Sequence, residues 1–175
     1  MRFVRSCAVV LGLAATLSTT QAQGISVAGA VNLPIGDLGE VSSVGFGVAL
    51  RSESQLSGGL WGFRADFTFD RFGAKGAVDN FQYFTIATNL VHHSNAKFYQ
   101  YGGLGLYNAK TVGKSTGAGL TPASSATEQA FGFQGGVGVS LDLLGPKGFL
   151  EVGIVNVLTS GRNSVWFPLR VGIRL

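Results

Sequence analysis

The sequence predicts an all-β fold, an eight-stranded antiparallel up-and-down transmembrane β-barrel. Three observations predict it. The chain opens on an export signal. No later stretch is apolar and long enough to make a membrane-spanning helix. The remainder alternates large apolar residues with glycines and charges at a period of two, the period of a strand.

In the signal, Arg2 and Arg5 form the charged start and an apolar run extends from Ala8 to Leu17. Thr20-Gln21-Ala22 then supplies small residues at the cleavage position. Cleavage is expected after Ala22, so residues 1–22 read as a signal peptide and 23–175 as one barrel domain. Cys7, the only cysteine, stands at the start of the apolar run, whereas a lipoprotein would carry it at the end. The mature chain then has no disulfide, thiolate metal ligand or cysteine nucleophile. Losing Arg2 and Arg5 takes two units from a formal charge of +4, and no basic stripe remains to engage nucleic acid.

Composition supports the membrane class. There are 27 glycines, 46% of residues are hydrophobic and only 13% are charged. A soluble domain carries about 25% charged residues. A chain this apolar, exported and without helical spans fits a closed sheet in lipid.

The strands follow in order. The first is expected over 24–33. The second, 43–53, carries Val44, Phe46, Val48 and Leu50 on one face and Gly45, Gly47, Ala49, Arg51 and Glu53 on the other. The third, 59–70, sets Trp61, Phe63, Ala65, Phe67 and Phe69 against Gly62, Arg64, Asp66 and Thr68. The fourth and fifth are expected over 80–91 and 97–108. The sixth, 129–142, opposes Phe131, Phe133, Val137, Val139 and Leu141 to Gln134, Ser140 and Asp142. The seventh, 148–158, opposes Leu150, Val152 and Ile154 to Glu151 and Gly153. The eighth, 164–175, opposes Val165, Phe167, Leu169, Val171, Ile173 and Leu175 to Trp166, Arg170, Gly172 and Arg174. In these five patterned strands the charges share a face with the glycines. A lipid-facing Arg or Lys at mid-membrane costs about 2–4 kcal/mol, and a lumen-facing one escapes that cost.

Connections 54–58, 92–96 and 143–147 are short, the last with the turn signal Gly145-Pro146. Connections 34–42, 71–79 and 109–128 are longer, and 159–163 is a short exception on the same side. Short turns are expected to face the periplasm and long loops the outside. Trp61, Phe98, Tyr99 and Phe149 near the turns, and Phe69, Phe81, Tyr107, Phe131 and Phe167 near the loops, read as two interfacial aromatic girdles. Ordinary strand preference for aromatics is the alternative.

The opening GAVNLPIGDLGE, the fifth-strand YGGLGLYNAK and a last strand that runs to Leu175 resemble the small outer-membrane β-barrel family of the OmpA/OmpX type. The resemblance covers 23–175. It implies the outer membrane of a Gram-negative-type bacterium, with outer-membrane lipids and lipopolysaccharide as surroundings. It also implies folding by the barrel-assembly machinery, which reads hydrophobic residues at alternate positions counted back from the C-terminus. Phe167, Leu169, Val171, Ile173 and Leu175 fit that pattern, although Leu175 stands where an aromatic is usual. No catalytic residue, metal ligand or cofactor is implied.

Both histidines fall in VHHSNAK, 91–97. His92-His93-Ser94-Asn95 resembles the His-x-Ser-Asn stretch of outer-membrane lipid A deacylases, with His92 as base and Ser94 as nucleophile. That substrate lies in the outer leaflet, while this turn is expected on the periplasmic side. The nearest acids along the chain, Asp79 and Glu128, are expected at the far end. The segment therefore reads as a polar turn, and without cysteine or a nearby carboxylate it is a poor metal site. The glycine repeats GGLGLYNAK and GGVGVS lie inside strands, with no helix following to hold a phosphate.

Inward Arg64, Asp66, Glu151 and Arg170 form an expected interior charge cluster. It plugs the lumen or, less simply, lines a narrow pore; in a barrel of about eight strands side chains fill the interior. Loop cations Arg71, Lys75, Lys110 and Lys114 face lipopolysaccharide phosphates or make a solvated basic rim. The function expected is a non-enzymatic surface or structural barrel serving envelope integrity, adhesion or lipopolysaccharide contact. The alternatives are the lipid A hydrolase, a narrow porin and a periplasmic lipocalin-like binder.

Overall fold

Strands with one apolar and one small or polar face leave no free edge only when the sheet closes. The computed structural model describes residues 24–56, 59–76, 78–114, 125–141, 147–160 and 163–175. It is a closed ring of eight strands: β1 (Gly24–Ile35), β2 (Ser42–Gln55), β3 (Trp61–Ala74), β4 (Val78–His93), β5 (Phe98–Gly113), β6 (Ser125–Leu141), β7 (Gly148–Leu158) and β8 (Asn163–Arg174). Each pairs antiparallel with its sequence neighbour. β1 and β8 close the ring from Ser26↔Arg174 to Ile35↔Val165. The signal segment 1–22, the 115–124 half of the 109–128 connection, Asp142 and Gly145-Pro146 lie outside the described residues.

The ladders run further than expected at the loop end. Segment 71–79, expected as a long loop, is mostly strand, because alternation continues through it. Arg71 pairs with Gln82 and Phe72 with Phe81 before the chain turns. Gly76, at φ 90°, takes the left-handed backbone that such a tight reversal needs. β5 likewise continues to Gly113 and β6 starts at Ser125. The rim is therefore uneven: β4 and β5 have 16 residues and β6 has 17, while β7 has 11 and β1 and β8 have 12.

Segment 34–42 contains a single helical turn and a half, α1 (Gly36–Val41), entered through Gly36 at φ 56°. α1 packs chiefly on β8 and drops Leu38 into the mouth of the ring. The Ser42 hydroxyl closes its end by donating to the Leu38 carbonyl, 2.6 Å.

The outer wall is apolar all round: Val27, Leu33, Phe46, Val48, Phe67, Phe84, Leu104, Phe131, Val152 and Leu169 are among its exposed side chains. A continuous surface of this kind is sheltered only in lipid. The interior is layered. At the loop end Leu38, Phe72, Tyr83, Tyr107, Val155, Val157 and Trp166 form one buried cluster. Charged and amide side chains fill the middle. Ala28, Ala49 and Phe149, and separately Val91, Tyr99 and Tyr101, fill the turn end.

The aromatic girdles need correction. Trp61, Phe69, Phe98, Phe131 and Phe167 do face outward, but Tyr99, Tyr107 and Phe149 are buried in the lumen and Phe81 packs against its core. Phase along the strand decides this, not nearness to a strand end. Glycines make the room: a Cβ at Gly153 would lie 2.7 Å from the Tyr101 hydroxyl, and one at Gly138 would strike the Tyr99 ring.

Candidate functional site

The middle layer gathers side chains from most of the ring. β2 contributes Arg51; β3 contributes Arg64, Asp66 and Asp70; β7 contributes Glu151 and β8 Arg170. All six are at most 2% exposed. Their signs balance, three guanidiniums against three carboxylates. Glu151 sits between two arginines: Arg51 Nη2 lies 2.7 Å from its Oε2 and Arg64 Nη1 lies 2.9 Å from its Oε1. The Tyr99 hydroxyl also donates to Oε1, 2.9 Å. Arg64 Nε is 3.0 Å from Asp66 Oδ1. Gln134 Nε2 donates to Asp66 Oδ2 and to Asn89 Oδ1, each 3.0 Å.

Tyr101 joins the two halves of this layer. The Arg64 guanidinium lies 4.0 Å over its ring, and Arg170 Nη1 donates to its hydroxyl at 3.1 Å. Asp70 accepts from Asn32 Nδ2 at 2.6 Å and from the Thr68 hydroxyl at 3.2 Å. Charge-assisted bonds across the lumen tie β2 and β3 to β7, and the β5 tyrosines link β7 and β8 into the layer, so the centre is filled.

Of the four charges read from the sequence, Arg64, Asp66 and Glu151 meet directly. Arg170 is the register partner of Glu151, but its hydrogen bond goes to Tyr101. Arg51 and Asp70 were missed. Arg51 was on the glycine face of its strand but was not joined to the cluster. Asp70 continues the phase of Arg64, Asp66 and Thr68 at the last residue of the expected 59–70 strand. Tyr99, Tyr101 and Asn89 belong to strands whose phase was not assigned.

Above this layer the aromatic cluster centres on Trp166. Its ring centroid lies 5.0 Å from Tyr83, 5.4 Å from Phe72 and 6.3 Å from Tyr107. Two closures therefore stack in the lumen, one apolar and one ionic.

The two histidines sit at the turn end on opposite faces. His92 faces outward, its ring 4.5 Å from Trp61 and its Nδ1 3.3 Å from Gln100 Nε2. His93 faces inward, and its Nε2 is 2.8 Å from Glu53 Oε1. The expectation of no acid near this turn was thus wrong. Glu53 is distant along the chain and adjacent across the ring. It serves His93, however, and not His92, the histidine in the position of the base. Ser94 and Asn95 shape the turn: the Ser94 amide donates to the Phe98 carbonyl, and Asn95 Oδ1 accepts from the Lys97 and Phe98 amides. Among the described residues no group of three or more metal-ligating side chains gathers.

At the loop end Lys75 donates to the Gly39 carbonyl at 2.9 Å and Lys114 to the Gly76 carbonyl at 2.7 Å, so both tie neighbouring connections. Arg71 and Lys110 are strand residues that face outward. Gln82 lies between them in register, and the row stands two residues above Phe69 and Phe84. Arg71 also approaches Asp79, 3.9 Å, with both largely exposed. Phe167, Leu169, Val171, Ile173 and Leu175 all project from the outer wall.

No protein-family model matches the chain, and no curated protein matches it in sequence. Solved structures do resemble it. Ail, the attachment invasion locus protein of Yersinia pestis, superposes with a TM-score of 0.64 at 18% identity, over 87% of this chain and 97% of Ail. A second Ail structure, in complex with the heparin analogue sucrose octasulfate, gives 0.63 at 19% over the same shares. Neisserial surface protein A gives 0.56 at 17% identity, over 87% of this chain and 96% of that one. The chain has, across nearly its whole described length, the eight-stranded architecture of small outer-membrane β-barrel proteins.

Proposed function

We propose that the protein is a non-enzymatic outer-membrane barrel whose loop end faces outside the cell and contacts polyanions there, above all the phosphates of lipopolysaccharide. The carrying observation is the row Arg71–Gln82–Lys110 on the outward face, directly above the apolar band. Cations at that height meet the headgroup layer, where charge-assisted bonds to phosphate or sulfate are strong. The Ail structure with a sulfated sugar supports the reading by analogy of fold. The filled lumen weighs against a porin, and the apolar outer wall weighs against a soluble lipocalin-like binder. In this reading residues 1–22 direct export and the outward β8 face is what the barrel-assembly machinery engages.

The double variant Arg71→Ala/Lys110→Ala should bind lipopolysaccharide or heparin about tenfold more weakly, equivalent to about 1.4 kcal/mol. The loss should shrink as salt rises. Titration of the detergent-refolded barrel checks it, and unchanged affinity at low salt removes the polyanion reading. Orientation has its own test. Protease added to intact cells should cut within 109–128 and spare 92–96. Cutting at 92–96 alone would reverse the topology.

A further inference from the structure

The uneven rim leaves a hollow. Under α1, between Leu38 and the tall inner walls of β4, β5 and β6, lies a vestibule of about 240 Å³. Tyr83 and Phe81 supply an aromatic floor, and the Tyr83 hydroxyl is engaged to Ser164, 2.9 Å. Two carboxylates, Asp37 on α1 and Glu128 on β6, stand at its walls, and Thr111 adds a hydroxyl. Among the described residues that line it there is no Lys, Arg or His. The cationic row described above is on the outward face of β3, β4 and β5, so the two surfaces differ in place and in sign.

We propose that this vestibule binds a small organic cation, a primary amine carried on an aromatic or apolar body. The ammonium group would lie between Asp37 and Glu128, and the body on Tyr83 and Phe81, where ring faces attract a cation as well as apolar carbon. Glu128 suits the role. The Ser160 amide and hydroxyl both donate to its Oε1, at 2.6 and 2.7 Å, a latch that does not use the second oxygen. The volume is under the ~300–1,000 Å³ of drug-sized sites, which selects a compact ligand.

The probe is 2-phenylethylammonium, titrated into the full-length barrel refolded in micelles and followed by the amide shifts of Thr111, Glu128 and Ser164. Saturable shifts with millimolar affinity are expected, at least tenfold tighter than for 2-phenylethanol or 3-phenylpropionate. Both controls partition into detergent, so micelle uptake alone would move all three titrations together. Asp37→Asn and Glu128→Gln should each weaken binding, and the double variant should lose it at least tenfold. Asp37→Asn leaves the Ser160 latch intact, so it reports charge and not loop order. Ala109→Leu, which fills the hollow without altering charge, should abolish binding while the gel mobility of the folded barrel persists. Equal shifts with the neutral or anionic probe, or an undiminished affinity in the double variant, overturn the proposal. Tighter binding of the anion would assign the vestibule to the polyanion surface instead.

Discussion

Glu151→Ala should destabilise the barrel by about 3–5 kcal/mol, because it leaves Arg51 and Arg64 buried without the carboxylate they share. Truncation also removes the acceptor for the Tyr99 hydroxyl. Three charge-bearing contacts disappear with one side chain, among charged side chains at most 2% exposed. Val152→Ala, one residue along and 49% exposed on the outer wall, should lose far less. Urea unfolding in detergent, read by the gel mobility of folded and unfolded forms, compares the three proteins. Coincident midpoints would mean that water solvates the middle layer and that the ionic closure is not one.

Trp166→Ala should be nearly as costly, about 3–5 kcal/mol, for a different reason. Its ring is fully buried and touches Phe72, Tyr83 and Tyr107, so truncation opens a cavity that neighbours on a hydrogen-bonded ring cannot collapse to fill. The barrel should nevertheless remain closed to ions, since the Arg51–Arg64–Asp66–Glu151 layer still crosses the lumen beneath it. Planar-bilayer recordings check this. Steps of current from Trp166→Ala alone would show that the aromatic layer, and not the ionic one, seals the barrel.

Strand number, order and most boundaries were legible in the sequence because period two is imposed by the backbone itself. Wherever one face meets lipid, a register slip would expose every inward residue. Arg64, Asp66 and Glu151 were readable for the same reason: a charge in a lipid-spanning strand has only one tolerable side. Partners across the ring were not readable. Glu53 and His93 are far apart in sequence, and only the register of β2 on β3 and β3 on β4 brings them together. The inward tyrosines were misplaced because a Tyr satisfies either face, its ring toward lipid or its hydroxyl toward a buried partner. Leu38 was invisible as a stopper because six residues of helix carry too little periodicity to be seen.

The β1–β8 seam has a kinetic meaning. Seven of the eight pairings join strands adjacent in sequence, so each can form as a hairpin with little loop-closure entropy. The eighth joins the two ends of the domain, down to the Leu175 amide donating to the Ile25 carbonyl at 2.7 Å. Contacts so distant along a chain form late and slowly. Until they do, the molecule is an open sheet with two bare edges and an apolar face, the form most prone to pair with a neighbour instead of with itself. The time spent open, more than the depth of the final energy well, sets how much of the chain ends as barrel and how much as aggregate.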